Sequence, residues 1–142
     1  MTKDVLVAYD GSPQSESALE YALAEHADAN LTVLTAIDPG EAGYGARAAT
    51  PSYPEEWYER ARETAEETLA EAEEHAEREG VSVETAVEVG GPANAIVEYA
   101  EEHDVDLIVT GSHGRSGMTR ILLGSVAETV VRRSPVPVTV VR

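Results

Sequence analysis

Two periods of apolar spacing take turns along this chain. Short runs rich in β-branched residues fall at Val5 to Tyr9, Leu31 to Ile37, Val81 to Val89, Asp106 to Thr110 and Val136 to Val141, which is the pattern of strands. Between them the apolar spacing opens to threes and fours. Leu19, Ala22, Leu23 and Ala27 form one such stripe; Ala61, Ala65, Leu69, Ala72 and Ala76 a second; Ala93, Ile96, Val97 and Ala100 a third; Val126, Ala127, Val130 and Val131 a fourth. Each is one face of an amphipathic helix. Strict β-α alternation predicts an α/β fold: a single open five-stranded parallel sheet with helices on both faces, because parallel neighbours need crossovers of helix length. At 142 residues the chain suits one domain, 1–142.

The quality of the strands predicts their order. VSVETAVEV alternates valine with polar or small residues, as a strand with one wet face does, whereas VLVAY and DLIVTG are nearly continuous apolar runs suited to burial on both faces. Strand three is therefore peripheral. In VPVTVV, Pro137 lacks the N–H that a central strand donates, which places strand five at an edge too. With right-handed crossovers the order 3-2-1-4-5 satisfies both. Strand one then lies beside strand four, the order reverses between them, and ligands of open α/β sheets bind at the carboxyl ends of strands at such a switch point. Strand one ends at Asp10 and strand four at Gly111.

Charge sharpens this picture. The net charge of −17, with Lys3 the only lysine, lies far outside the magnitude of about 2 to 8 usual for a small soluble domain. It fits a halophilic cytosol, where concentrated salt screens a dense carboxylate surface, better than an acidic tail or disordered segment, because the charge lies largely on a helix-patterned stretch. Nucleic acid is excluded as a partner by such a field. Without cysteine there are no disulfides or thiolate metal sites, the four histidines lack ligand spacing, and no run of 18 apolar residues offers a membrane span. A cytoplasmic protein is expected. Eleven of the acids lie on the stretch from Glu55 to Glu79, opposite its alanine and leucine stripe, as a solvated helix face. Residues 38–54 form a 17-residue connection, longer than the usual structureless loop and either filler or a lid over the crevice.

Residues 1–110 carry a balance of −21, whereas residues 111–142 carry one acid, Glu128, and five arginines, a balance of +4. The acid-free stretch GSHGRSGMTRILLGS, from Gly111 to Ser125, follows a strand and opens a helix. Glycines expose backbone N–H groups, and a helix start carries about half a positive charge, so the segment is suited to phosphate. The Ser125 hydroxyl could add a donor, and Arg115 or Arg120 charge; the bland alternatives are a helix cap and solvated arginines. No lysine follows the glycines as in a P-loop, and the segment does not open the first βα unit as a dinucleotide fingerprint would. Asp10 has two readings, an acceptor for ribose hydroxyls or a support for the turn in which Ser12 caps a helix beginning at Pro13.

Gly111, two residues, Gly114, nine residues, then Gly124 and Ser125 resemble the G-x2-G-x9-G-[ST] motif of the ATP-binding branch of the universal stress protein family. VLVAYDGSP is similar to that family's first strand and turn, and the chain from Gly111 onward to its carboxyl-terminal third. The resemblance implies a Rossmann-like or flavodoxin-like domain that binds ATP, with or without Mg2+, and forms homodimers. It implies Asp10 on the sugar side, Ala8 and Ala36 near the adenine, Gly111 and Gly114 along the ribose and phosphates, and Gly124, Ser125 and Val126 at the phosphates. The expected function is a nucleotide-dependent regulatory module of the stress response, with at most slow ATP hydrolysis. An ATPase or phosphotransferase, for which His113 is the sole candidate base, a flavin binder on the same scaffold and a salt-adaptation protein with a vestigial pocket are the alternatives. The apolar edge VPVTVV predicts a twofold dimer with Val138 and Val140 near its axis.

Overall fold

Val5, Val7 and Leu6 are all buried, yet Val5 and Val7 join one core cluster and Leu6 another. That split is the signature of a strand covered on both faces. The structure, a computed structural model, describes residues 2–42, 55–112 and 123–142. Its elements are β1 (Asp4–Ala8), α1 (Pro13–Glu25), β2 (Asn30–Ile37), a 3-10 turn (Pro39–Ala42), α2 (Glu55–Arg78), β3 (Val83–Val89), α3 (Pro92–Glu102), β4 (Leu107–Gly111), α4 (Ser125–Arg133) and β5 (Val138–Val141). The five strands form one parallel sheet in the order β3-β2-β1-β4-β5.

Val7 pairs with Val33 of β2 on one side and Val109 of β4 on the other, which fixes β1 at the centre. On one face Val5, Val7, Val33 and Val109 pack under Leu19, Ala22 and Leu23 of α1 and Leu69, Ala72 and Ala76 of α2. On the other, Leu6, Leu34 and Ile108 pack under Ile96 and Ala100 of α3 and Val130 of α4. Each fully buried leucine or valine contributes about 1.5–3 kcal/mol of hydrophobic stabilisation.

Strand ends differ from the periodicity by a residue or two. β3 and β5 start two residues later than their apolar runs, at Val83 and Val138, and β1 ends at Ala8, two residues short of Asp10, whereas β4 ends at Gly111 as expected. Pro137 thus lies just before β5, and its carbonyl accepts from the Ile108 N–H at 3.1 Å. β5 is an edge strand as expected, with nothing among the described residues pairing beyond it. The 38–54 connection opens with the 3-10 turn, in which the Asp38 carboxylate accepts from the Gly40 N–H at 2.9 Å; residues 43–54, and with them any lid, lie outside the described residues.

Candidate functional site

Three strand ends and two helix starts meet where the strand order reverses. Past β1 the chain turns at Gly11, whose φ of +83° favours glycine. The Asp10 Oδ1 accepts from the Ser12 N–H at 2.9 Å, the Ser12 hydroxyl oxygen accepts from the Ser15 N–H at 3.1 Å, and Pro13 supplies the first helical residue. Both sequence readings of this turn are therefore compatible: Ser12 caps α1, and one oxygen of Asp10 braces the cap.

β4 ends at Gly111, and the reason for glycine there is packing. A Cβ on Gly111 would sit 2.7 Å from the Gln14 carbonyl oxygen and 2.8 Å from its carbon, because the first turn of α1 lies directly on the strand. Ser112 follows, buried; its N–H donates to the Val141 carbonyl at 2.9 Å and its own carbonyl accepts from the Gly124 N–H at 2.7 Å. The second bond closes the base of the intervening segment and holds the start of α4 at the end of β4.

At that start Gly124, not Ser125, is the capping residue. Its backbone is extended (φ −74°, ψ 169°), no side chain among the described residues caps the helix, and the first intrahelical bond runs from the Glu128 N–H to the Gly124 carbonyl. Ser125 is the first helical residue and exposed. The N–H groups of Ser125, Val126 and Ala127 therefore precede the helix ladder, the arrangement that favours an anion.

A cavity of about 280 Å³ opens beside the ends of β1 and β2. Asp10, Thr35, Ala36, Ile37 and Asp38 form its sheet side, and Trp57, Ala61, Thr64, Ala65 and Thr68 of α2 its helix side. The structure thus brings Asp10 and Ala36 together, and sets Gly124 and Ser125 at the neighbouring strand end. Ala8 and Val126 instead pack against the core between the sheet and α3 and α4. Gly114, Arg115, Arg120 and His113 lie outside the described residues. Sequence reasoning missed the α2 wall, because its alanines read as core and its acids as a solvated face; the sole tryptophan of the chain, at its first turn, was the available signal.

Electrostatically the two halves differ. The cavity carries the Asp10 and Asp38 carboxylates, while the α4 start carries the positive end of a helix. Next to Asp10 the buried Tyr9 phenol is pushed up to about 12, chiefly by burial and then by Glu16, Glu71 and Asp10, all of which oppose a phenolate. Among the described residues no group of three His, Asp or Glu side chains could hold a metal, and no helix is long and apolar enough to cross a membrane.

Compared with known families, the chain matches the universal stress protein family over residues 1–142. It is 37% identical over 142 residues to Universal stress protein MJ0531 of Methanocaldococcus jannaschii, covering 99% of this chain and 82% of that one. It is 38% identical to a putative universal stress protein of Staphylococcus haemolyticus, covering 99% and 84% of the two chains. Among solved structures, hypothetical protein MJ0577 superposes with a TM-score of 0.82 at 33% identity, covering 99% of this chain and 96% of that one. A universal stress protein solved in complex with cAMP superposes at 0.72 with 32% identity, covering 99% and 97%.

Proposed function

This chain belongs to the universal stress protein family, and on that premise we propose that it is an ATP-binding regulatory module rather than a rapidly turning-over enzyme. The observation that carries the reading is the start of α4, which no side chain among the described residues caps, held by the Gly124–Ser112 bond at the switch point beside a cavity that contains Asp10 and Ala36. Phosphates take the N–H groups of the first turn of α4, aided by the Ser125 hydroxyl, and the sugar takes Asp10, whose carboxylate accepts from hydroxyls. The related structure that holds cAMP supports a nucleotide as the ligand class. Magnesium arriving with ATP would be carried on the phosphates, since the described side chains build no metal cage. The output is conformational: occupancy shifts a population that a partner reads. The reading includes a twofold dimer through the apolar edge of β5, around Val138 and Val140, which light scattering in high salt tests.

Calorimetric titration of ATP and magnesium at molar potassium chloride tests the binding. The wild type is expected to bind. Gly124→Val is expected to abolish binding by placing a branched side chain against the anion-facing N–H groups, and Asp10→Asn to weaken it while keeping an oxygen for the Ser12 N–H. Phosphate release followed in parallel should stay far below the roughly 1–100 per second of kinases. No binding by the wild type would overturn the reading; rapid release that His113→Ala removes would make the protein an enzyme.

A further inference from the structure

Along α2, Trp57, Ala61, Thr64 and Thr68 are spaced by four, three and four residues and share the face that lines the cavity. Further along, Leu69, Ala72 and Ala76 are buried against the sheet. Towards its amino end the helix instead presents small side chains to the strand ends, and the space they leave is the cavity. Its aromatic wall among the described residues is Trp57, half-buried at the first turn of a helix whose other residues there are Glu55, Glu56 and Tyr58.

What fits such a slot follows from its chemistry. The Asp10 and Asp38 carboxylates are acceptors only, so an occupant must bring donors, and they repel any phosphate placed among them. At about 280 Å³ the cavity falls just below the roughly 300–1,000 Å³ of ligand pockets, a size suited to one end of a nucleotide rather than the whole. An indole face beside acceptors suits a flat heteroaromatic ring that carries N–H or O–H donors, since every nucleobase has a π-face to stack.

Resting on the nucleotide reading above, we propose that Trp57 is the stacking wall for the base and a determinant of specificity: it makes the site prefer base-bearing ligands over a bare polyphosphate. The uncharged base-and-sugar end enters against Trp57, and the phosphates stay outside, at α4. Because Trp57 is the only tryptophan, all tryptophan emission reports from this wall.

The test titrates ATP, adenosine, ribose and inorganic triphosphate into the wild type, Trp57→Phe and Trp57→Leu, reading emission in the wild type and calorimetry in all three, with circular dichroism to establish that each variant is folded. ATP and adenosine are expected to shift wild-type emission while ribose and triphosphate do not. Trp57→Leu is expected to weaken ATP about tenfold or more, the size of losing one stacking partner, Trp57→Phe by clearly less, and neither to change triphosphate binding. The adenosine arm needs no variant, so it decides even where one fails to fold. ATP binding with unmoved emission and equal affinity in all three proteins overturns the role of Trp57 and leaves the nucleotide reading standing. No ATP binding by the wild type overturns both.

Discussion

Helices α1 and α4 both begin at the switch point, and they begin in opposite ways. The start of α1 is closed: Ser12 caps it, Asp10 braces the cap, Pro13 removes one N–H and Glu16 adds a negative charge in the first turn. At the start of α4 Gly124 takes the capping position and, among the described residues, no side chain bonds the first-turn N–H groups. Two helix ends with the same intrinsic positive pole therefore have different availability. One is occupied by the fold's own groups; the other is where the proposed function places the phosphates. A helix N-terminus becomes a binding site only where the sequence has refrained from capping it.

The largest expected effect breaks the closed side. Gly111→Ala drives a Cβ into the Gln14 backbone, which cannot swing aside as a side chain could. It should cost about 3 kcal/mol, the upper end for overpacking, read by denaturant unfolding.

Next comes pH. Tyr9 is packed under α1 and α2, and its folded-state value of about 12 exceeds the ordinary 10. A raised value means the unfolded chain loses the proton first, so this contribution is complete below pH 10 and is lost as pH rises from about 10 to 12. The wild type should lose roughly 2–3 kcal/mol across that window beyond what Tyr9→Phe loses. An identical pH profile for the two proteins would show that the phenol is not held neutral by the fold.

Capping itself gives the third test. Ser12→Ala should destabilise by about 1 kcal/mol because the Ser15 N–H loses its acceptor. Ser125→Ala should stay within about 0.5 kcal/mol, since that exposed side chain caps nothing. Equal losses would erase the distinction between the two starts.

The smallest expected effect is diffuse. Raising potassium chloride from 0.1 M to 1 M shortens the screening length from about 10 Å to about 3 Å. With a net charge of −17 the melting temperature should rise by a few degrees, and a flat or falling trend would remove the support for a high-salt cytosol.

How far the sequence could be read depended on whether a signal was local. Strand order was legible because β3 shows a wet face in its alternation and β5 an apolar run flanked by proline, each a property of a few adjacent residues. Pro137 led to the right edge although it stands immediately before β5 and not in it. The turn from Asp10 to Pro13 was legible for the same local reason. The cavity was not, because its two walls are 19 or more residues apart in the chain and meet only when α2 lies on β2. An alanine that faces an empty slot and one that fills a core have the same spacing. The packing role of Gly111 was hidden likewise, because the atom it avoids belongs to Gln14, nearly a hundred residues away.

The close approach of Gly111 to Gln14 bears on how the motif is read. A glycine fixed by backbone contact is under selection for as long as the fold persists, whether or not a ligand is ever bound. A chain of this fold that bound no nucleotide would still need glycine at this position, whereas the extended backbone of Gly124 imposes no such need. The first glycine of the motif is thus a requirement of the architecture, independent of whatever the later pair binds.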